Sequence, residues 1–188
     1  MKAFHNDEAL KQKYLDRIET HRIADELIKG KGWDGGKGCA IGCTFENYDH
    51  FLMEKEWDVP QMLAQFEDVI FEGLPNEESQ EWPERFTSAI KVGSDLSKVG
   101  PKFLLAILTR CRDQLDQNGI EIVGDAVNQA IKVLYDWVEF GKVDTKAAAR
   151  AARAVMAAAE AEEAEEAEVA AAYKWLAEKL VKLIGDCR

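Results

Sequence analysis

Residues with chemically useful side chains concentrate between positions 33 and 50, in the stretch WDGGKGCAIGCTFENYDH. Cys39 and Cys43 are four residues apart, so a helix here would bring both thiols onto one face. Three uses fit this spacing. Both thiols could be small packing residues. They could also be two zinc ligands, which would need further partners. Finally, Cys39 could be a nucleophile if it begins a helix beside Lys37 and gains thiolate character.

Two histidines have positions from which they could join the cysteines. His21 falls on the apolar side of the first predicted helix, and Asp25 one turn later would orient its imidazole. His50 lies in a polar stretch of the chain. The alternative to a functional role is a hydrogen-bonded core position for His21 and an ordinary surface position for His50. The catalytic hypothesis, and the ligand set if a metal binds, comprises Cys39, His21, Cys43 and His50. No cofactor is predicted, and zinc is kept only as an alternative.

The glycine-rich run before Cys39 suggests a second kind of chemistry. Gly35, Gly36 and Gly38 let the backbone approach a ligand closely or adopt positive φ. If a helix begins at Cys39, the preceding amides point outward and, with Lys37, suit a phosphate or carboxylate. The run is not a Walker loop, and a tight turn explains the same glycines. The residues expected to bind an anionic ligand are Trp33, Gly36, Lys37, Gly38, Cys39, Thr44 and Glu67.

Helical periodicity dominates the chain, and no segment alternates with a period of two over a useful length. The predicted fold is all-α: a compact multi-helix domain over residues 1–141, followed by one long alanine-rich helix over 142–188. The individual helices are predicted at 7–29, within 39–55, at 60–73, from a start marked by Asn76 and Pro83 to Gly93, at 101–118, at 123–141 and from Asp144 to Ile184. Glu67, Asp68 and Glu72 fall on the less apolar side of the third, where they either approach the cysteines or face solvent.

The C-terminal segment changes composition at Asp144, after which alanine and glutamate predominate and neither glycine nor proline occurs before Gly185. A helix from Asp144 to Ile184 would be roughly 60 Å long. Two arrangements fit this segment. It packs on the preceding domain, or it makes a homo-oligomer through its alanine face or through the Tyr173–Ile184 end.

The net charge of −11 is spread evenly along the chain, without a basic stretch. Binding to DNA or to an anionic membrane surface is therefore not expected. No stretch has the apolar length of a transmembrane helix, and the N-terminus MKAFHNDEAL lacks the apolar core of a signal peptide. The four cysteines are not spaced as a secreted disulfide framework, so a reduced, cytoplasmic protein is expected.

Several strings in the chain resemble a family of uncharacterised proteins encoded by tailed phages and prophages. The strings are GKGCAIGCT, a following DH, FEDVIFEGLPNE, WPERFTSAIKVGSDLS and YKWLAEKLVKLI. The resemblance covers most of the chain, but the glutamates of the tail depart from the Ala-Tyr repeats of the family. It implies a protein of the bacterial host cytoplasm. Positions matching the family pattern are His21, Cys39, Cys43, His50, Glu67, Asp68 and Glu72.

These observations support three hypotheses for function. The first is a phage protein that binds or sequesters a small phosphorylated ligand or a host protein, for example to antagonise host defence. The second is a small hydrolase or transferase that uses Cys39 or Cys43 with His21 or His50. The third is a structural or assembly accessory built around the long helix.

Overall fold

The computed structural model describes residues 1–117, 121–140 and 166–187, and within them the chain is mostly helical. The predicted all-α class is confirmed. The helices are α1 (Glu8–Ile23), α2 (Ala40–Phe45), α3 (Phe51–Trp57), α4 (Gln61–Gly73), α5 (Asn76–Ala89), α6 (Val99–Gln117), α7 (Glu121–Phe140) and α8 (Glu166–Gly185). A 3₁₀ turn at Ala3–Asn6 precedes α1, and the strands β1 (Trp33–Asp34) and β2 (Lys37–Gly38) form an antiparallel hairpin. No helix in the described ranges is long and apolar enough to cross a membrane.

The chain divides into two compact units. The first unit comprises Met1–Val99 together with α8, and the second unit begins at Gly100. In the second unit α6 and α7 share a small apolar core that contains Leu108, Val127 and Leu134. The predicted boundary after residue 141, and the stretch 142–165 of the predicted long helix, lie outside the described residues.

An aromatic cluster forms one part of the core of the first unit. The side chain of Asp7 caps α1 by accepting a hydrogen bond from the Ala9 amide at 2.8 Å, and this fixes where the helix begins. The buried ring of Tyr14 on α1 then meets Trp57 at the end of α3, with 5.1 Å between the ring centroids. Phe4 packs on the same indole from the 3₁₀ turn, at 4.9 Å. These contacts join the N-terminal elements to α3.

The C-terminal helix packs within the first unit, against α4 and α5. Its side chains Ala177, Leu180 and Ile184 are buried. At the edge of the contact, Lys174 Nζ lies 2.6 Å from a carboxylate oxygen of Glu78 on α5. The described part of the C-terminal segment therefore packs against helices of the first unit, as in the first of the two predicted arrangements. Self-association stays a prediction.

Two helix boundaries differ from those predicted. The helix predicted over 7–29 ends at Ile23, because the chain reverses at Asp25 (φ 56°) and the next residues extend along the hairpin. There Leu27 forms a parallel bridge with Gly38, and the Ile28 amide donates to the Gly38 carbonyl at 2.8 Å. The helix predicted to run up to Gly93 also ends earlier, at Ala89. It begins at Asn76, and Pro83, the second of the two start signals, is buried inside it.

Candidate functional site

The glycine-rich run folds as a tight hairpin that packs on α2. Gly35 and Gly36 occupy its turn with φ values of 60° and 108°, which favour glycine. Gly38 and Gly42 approach the backbone so closely that a β-carbon at either position would collide with the Gly32 carbonyl oxygen. The glycines therefore have structural reasons to be present, including Gly36, which had been expected to contact a ligand.

The backbone amides before α2 are already hydrogen-bonded. Cys39 is the N-cap of this helix, but its amide donates to the Lys31 carbonyl at 2.6 Å. The Gly38 amide donates to the Glu26 carbonyl at 3.0 Å. The expectation of outward-facing amides at this position is therefore wrong, because the hairpin and the segment before it use them. Lys37 is exposed on β2.

The two cysteines face different surroundings, although both are buried. The Cys43 thiol lies 3.5 Å from the Glu26 carbonyl oxygen and 3.4 Å from that of Gly38, so it can donate to the backbone. Burial raises the pKa of Cys43 to about 12. Burial also raises the pKa of Cys39; a hydrogen bond with the Gly42 backbone lowers it in part, and the hydrogen bond to Asp68 and the charges of Asp68 and Glu67 raise it further. Neither environment produces an activated thiolate.

Cys39 belongs to what we call the acidic cluster, which consists of Cys39, Asp68 and Glu72. One ligand atom from each, the sulfur and two carboxylate oxygens, lies within 4.8 Å of the others. Asp68 and Glu72 are four residues apart on α4, so one face of that helix presents both carboxylates to the start of α2. Glu72 is exposed and accepts the Gly30 amide with both carboxylate oxygens, at 3.0 and 2.8 Å.

Tyr48 and His50 hold one side of the Asp68 carboxylate. The Tyr48 hydroxyl donates to Asp68 Oδ2 at 3.0 Å, and His50 Nε2 lies 3.0 Å from the same oxygen. The two rings also pack against each other, with centroids 5.1 Å apart. Burial raises the pKa of Tyr48 to about 12, and the hydrogen bond to Asp68 and its charge act in the same direction.

Two buried carboxyl groups at this site keep an oxygen without a partner. Asp68 is 8% exposed and Glu67 is 3% exposed, yet Asp68 Oδ1 and Glu67 Oε2 accept no hydrogen bond from the described residues. Burial and the charges of Asp68 and Glu72 raise the pKa of Glu67 well above its ordinary value. No lysine or arginine in the described ranges forms an ion pair with these carboxylates; His50 is the one described partner of Asp68 that can carry positive charge. Unpaired buried oxygens of this kind are costly.

The other predicted site residues lie in separate surroundings. His21 is buried, with Nδ1 2.6 Å from Glu26 Oε2 and its ring edge-on to Trp33 at 5.6 Å. The prediction that Asp25 orients the His21 imidazole is wrong. Asp25 has a left-handed backbone conformation just after α1, and Glu26 contacts the imidazole instead. Thr44 is buried in α2, where its carbonyl accepts a hydrogen bond from Arg17.

Asp68 contacts both Cys39 and His50. The residues brought together here form an acidic site with a thiol, two carboxylates, an imidazole and a phenol, and the carboxylate of Glu72 is exposed to solvent. The involvement of Tyr48 was not predicted. The one signal for it in the sequence was its position two residues before His50, which is not specific.

Comparison with protein-family models, with curated proteins and with solved structures finds no match for this chain.

Proposed function

We propose that the protein is a binding protein that captures a positively charged ligand at the acidic cluster. The observation that carries this proposal is the buried, unpartnered Asp68 Oδ1, beside the equally unpartnered Glu67 Oε2. A bound cation would supply the missing partner and would offset the electrostatic cost of collecting three carboxyl groups in one place.

The same surroundings argue against the phosphorylated ligand expected from the sequence. A phosphate beside Cys39 would meet Asp68 and Glu72 in place of free amides, because the Gly38 and Cys39 amides already donate to carbonyl oxygens. Like charges at these distances repel. The proposal thus keeps the predicted class of binding protein and changes the charge of its ligand.

The biological setting rests on the resemblance to proteins of tailed phages. A phage protein of the bacterial cytoplasm that binds a host component, or antagonises host defence, remains the expected context. The acidic cluster would then be the part of the protein that recognises a cationic group.

Thermal unfolding in the presence of small ligands tests the proposal, because a ligand that binds the folded state raises the midpoint temperature. The panel contains ZnCl₂, MgCl₂, putrescine, ATP and a cyclic nucleotide. At least one cation is expected to raise the midpoint by several degrees at a hundred-fold excess over its Kd, which corresponds to about 2.7 kcal/mol. The nucleotides without metal are expected to leave it unchanged.

Asp68→Asn is the informative variant, because it removes the charge and keeps a side chain of similar shape. It is expected to abolish the shift caused by the cation. Glu77→Gln, which removes one exposed charge at the start of α5, is the matched control and is expected to retain the shift. Stabilisation by ATP alone, or a cation effect that survives Asp68→Asn, would contradict the proposal.

A further inference from the structure

We infer that the ligand is a divalent transition-metal ion of the zinc type, held by Cys39 Sγ, Asp68 Oδ1 and a Glu72 carboxylate oxygen. This inference rests on the proposed function and specifies the ligand of the same site. It differs from the ligand set considered from the sequence, since His21 and Cys43 take no part and His50 acts through Asp68.

The spacing of the three groups fits a shared ion. Their ligand atoms lie within 4.8 Å of one another. Zinc binds sulfur at about 2.3 Å and carboxylate oxygen at about 2.0–2.2 Å, so neighbouring ligand atoms around a tetrahedral ion are about 3.5 Å apart. Glu72 is exposed, and a side-chain adjustment that keeps one carboxylate oxygen on the Gly30 amide and turns the other toward the ion would close the remaining distance.

The hydrogen bonds of Asp68 leave one of its oxygens available. Oδ2 is occupied by Tyr48 and His50, whereas Oδ1 is buried and accepts no hydrogen bond from the described residues. The Cys39 thiol, which interacts with the same carboxylate, is itself one of the three proposed ligands. Metal-binding side chains are commonly held in this way, with an outer group that orients the ligand and leaves the coordinating atom free. Tyr48 and His50 are therefore positioning residues.

The donor types indicate which metal suits the site. Magnesium and calcium prefer oxygen ligands in shells of six or more, and thiol sulfur is a poor ligand for them. Zinc and cobalt(II) accept one thiolate together with carboxylate oxygens. Binding displaces the thiol proton of Cys39 to solvent, which gives three negatively charged ligands around a divalent ion. With three protein ligands, a fourth position remains for water or a ligand atom.

Titration of the full chain with CoCl₂ tests the inference, because a thiolate bound to cobalt(II) gives a sulfur-to-metal charge-transfer band in the near ultraviolet. The band is expected to saturate at one equivalent of cobalt and to disappear when ZnCl₂ is added. In Cys39→Ser it is expected to be lost. In Cys43→Ser it is expected to persist, because the Cys43 thiol faces backbone carbonyls one turn away.

Glu72→Gln provides a second variant that does not disturb the core. Its side chain is exposed and can still accept the Gly30 amide, so the fold is expected to be unchanged. Zinc affinity, measured by competition with a chromophoric chelator, is expected to fall at least ten-fold. Glu77→Gln again serves as the control, with unchanged zinc affinity.

The two proposals fail in distinguishable ways. If magnesium or putrescine stabilises the chain through Asp68 and cobalt gives no charge-transfer band, the metal inference is overturned and the cation-binding proposal stands. If the band persists in Cys39→Ser, or if zinc affinity is equal in Glu72→Gln and wild type, these residues are not the ligands and the inference is overturned. If no cation binds, both fall.

Discussion

The ring of Tyr173 on α8 lies against the backbone of Gly73 at the end of α4, so closely that a β-carbon at residue 73 would overlap it. Gly73→Ala is therefore expected to destabilise the first unit by about 1–3 kcal/mol, because the ring or the helix must move. Urea unfolding followed by tryptophan fluorescence measures this. Gly185→Ala, which adds a β-carbon in open space, is the control and should have a much smaller effect.

The partner of the steric conflict can be identified with a double variant. If Tyr173 is the obstacle, Gly73→Ala should cost much less in a Tyr173→Ala background than in wild type. Equal costs in the two backgrounds would show that the Tyr173 ring is not the source of the destabilisation caused by Gly73→Ala.

Gly42 gives a separate test of why the run between Gly35 and Gly42 is rich in glycine. A methyl group at residue 42 would meet the Gly32 carbonyl oxygen, which is backbone and cannot move alone. Gly42→Ala is expected to destabilise the first unit by about 2 kcal/mol or more and to weaken protection of the Gly38 amide from hydrogen exchange. Unchanged stability with loss of ligand binding would instead favour a direct role for the glycine in recognition.

Alkylation distinguishes the buried thiols from the others. Cys39 and Cys43 are buried and have raised pKa values, whereas Cys111 and Cys187 are partly exposed. In native protein, iodoacetamide is expected to modify Cys39 and Cys43 at least ten-fold more slowly than Cys187, as measured by peptide mass spectrometry. In urea all four should react at similar rates. Fastest reaction at Cys39 would support the nucleophile hypothesis.

The surroundings of Tyr14 predict that the free energy of unfolding decreases at alkaline pH. Burial, and then its hydrogen bond to Glu56, raises the pKa of Tyr14 above its ordinary value. The unfolded chain releases this proton at about pH 10 while the folded chain keeps it, so the stabilisation is fully present below pH 10 and is lost as the pH rises above it.

The variant Tyr14→Phe should lack this dependence of stability on alkaline pH. At pH 7, Tyr14→Phe is expected to lose about 1–2 kcal/mol from the hydrogen bond to Glu56. The free energy of unfolding of the variant and of wild type should then converge between about pH 10 and 12. Tyr135→Phe, which removes a half-exposed phenol in the second unit, controls for the loss of a tyrosine. A constant difference across this range would contradict the assignment.

Local signals in the sequence were sufficient for most helices and insufficient for the contacts between them. Asp7 caps α1 through its own side chain, and the apolar spacing of Leu63 and Ile70 on α4 depends only on residues within that helix. The segment after α1, in contrast, is joined to the hairpin by an isolated bridge between Leu27 and Gly38, and a single pairing of this kind leaves no periodic pattern in the sequence.

The candidate site was predictable only in part, for the same reason. The sequence grouped Cys39 with Cys43 because helical spacing puts them on one face, but their surroundings are set by other elements. Cys39 faces α4 residues, whereas Cys43 faces the hairpin. Two acids such as Asp68 and Glu72 have the same spacing whether they face water or a buried thiol. Only the packing of α4 against the start of α2 shows that they lie beside Cys39.

The docking of α8 makes the first unit discontinuous along the chain, because everything from Gly100 to the start of α8 is inserted within it. During translation, the ribosome completes the whole insertion before it makes the helix that buries Leu180 and Ile184. Until then the matching apolar surface of α4 and α5 stays in contact with water and is available to chaperones or to other nascent chains. The core of the first unit is therefore completed only after the last helix has been synthesised, although most residues of this unit are synthesised first.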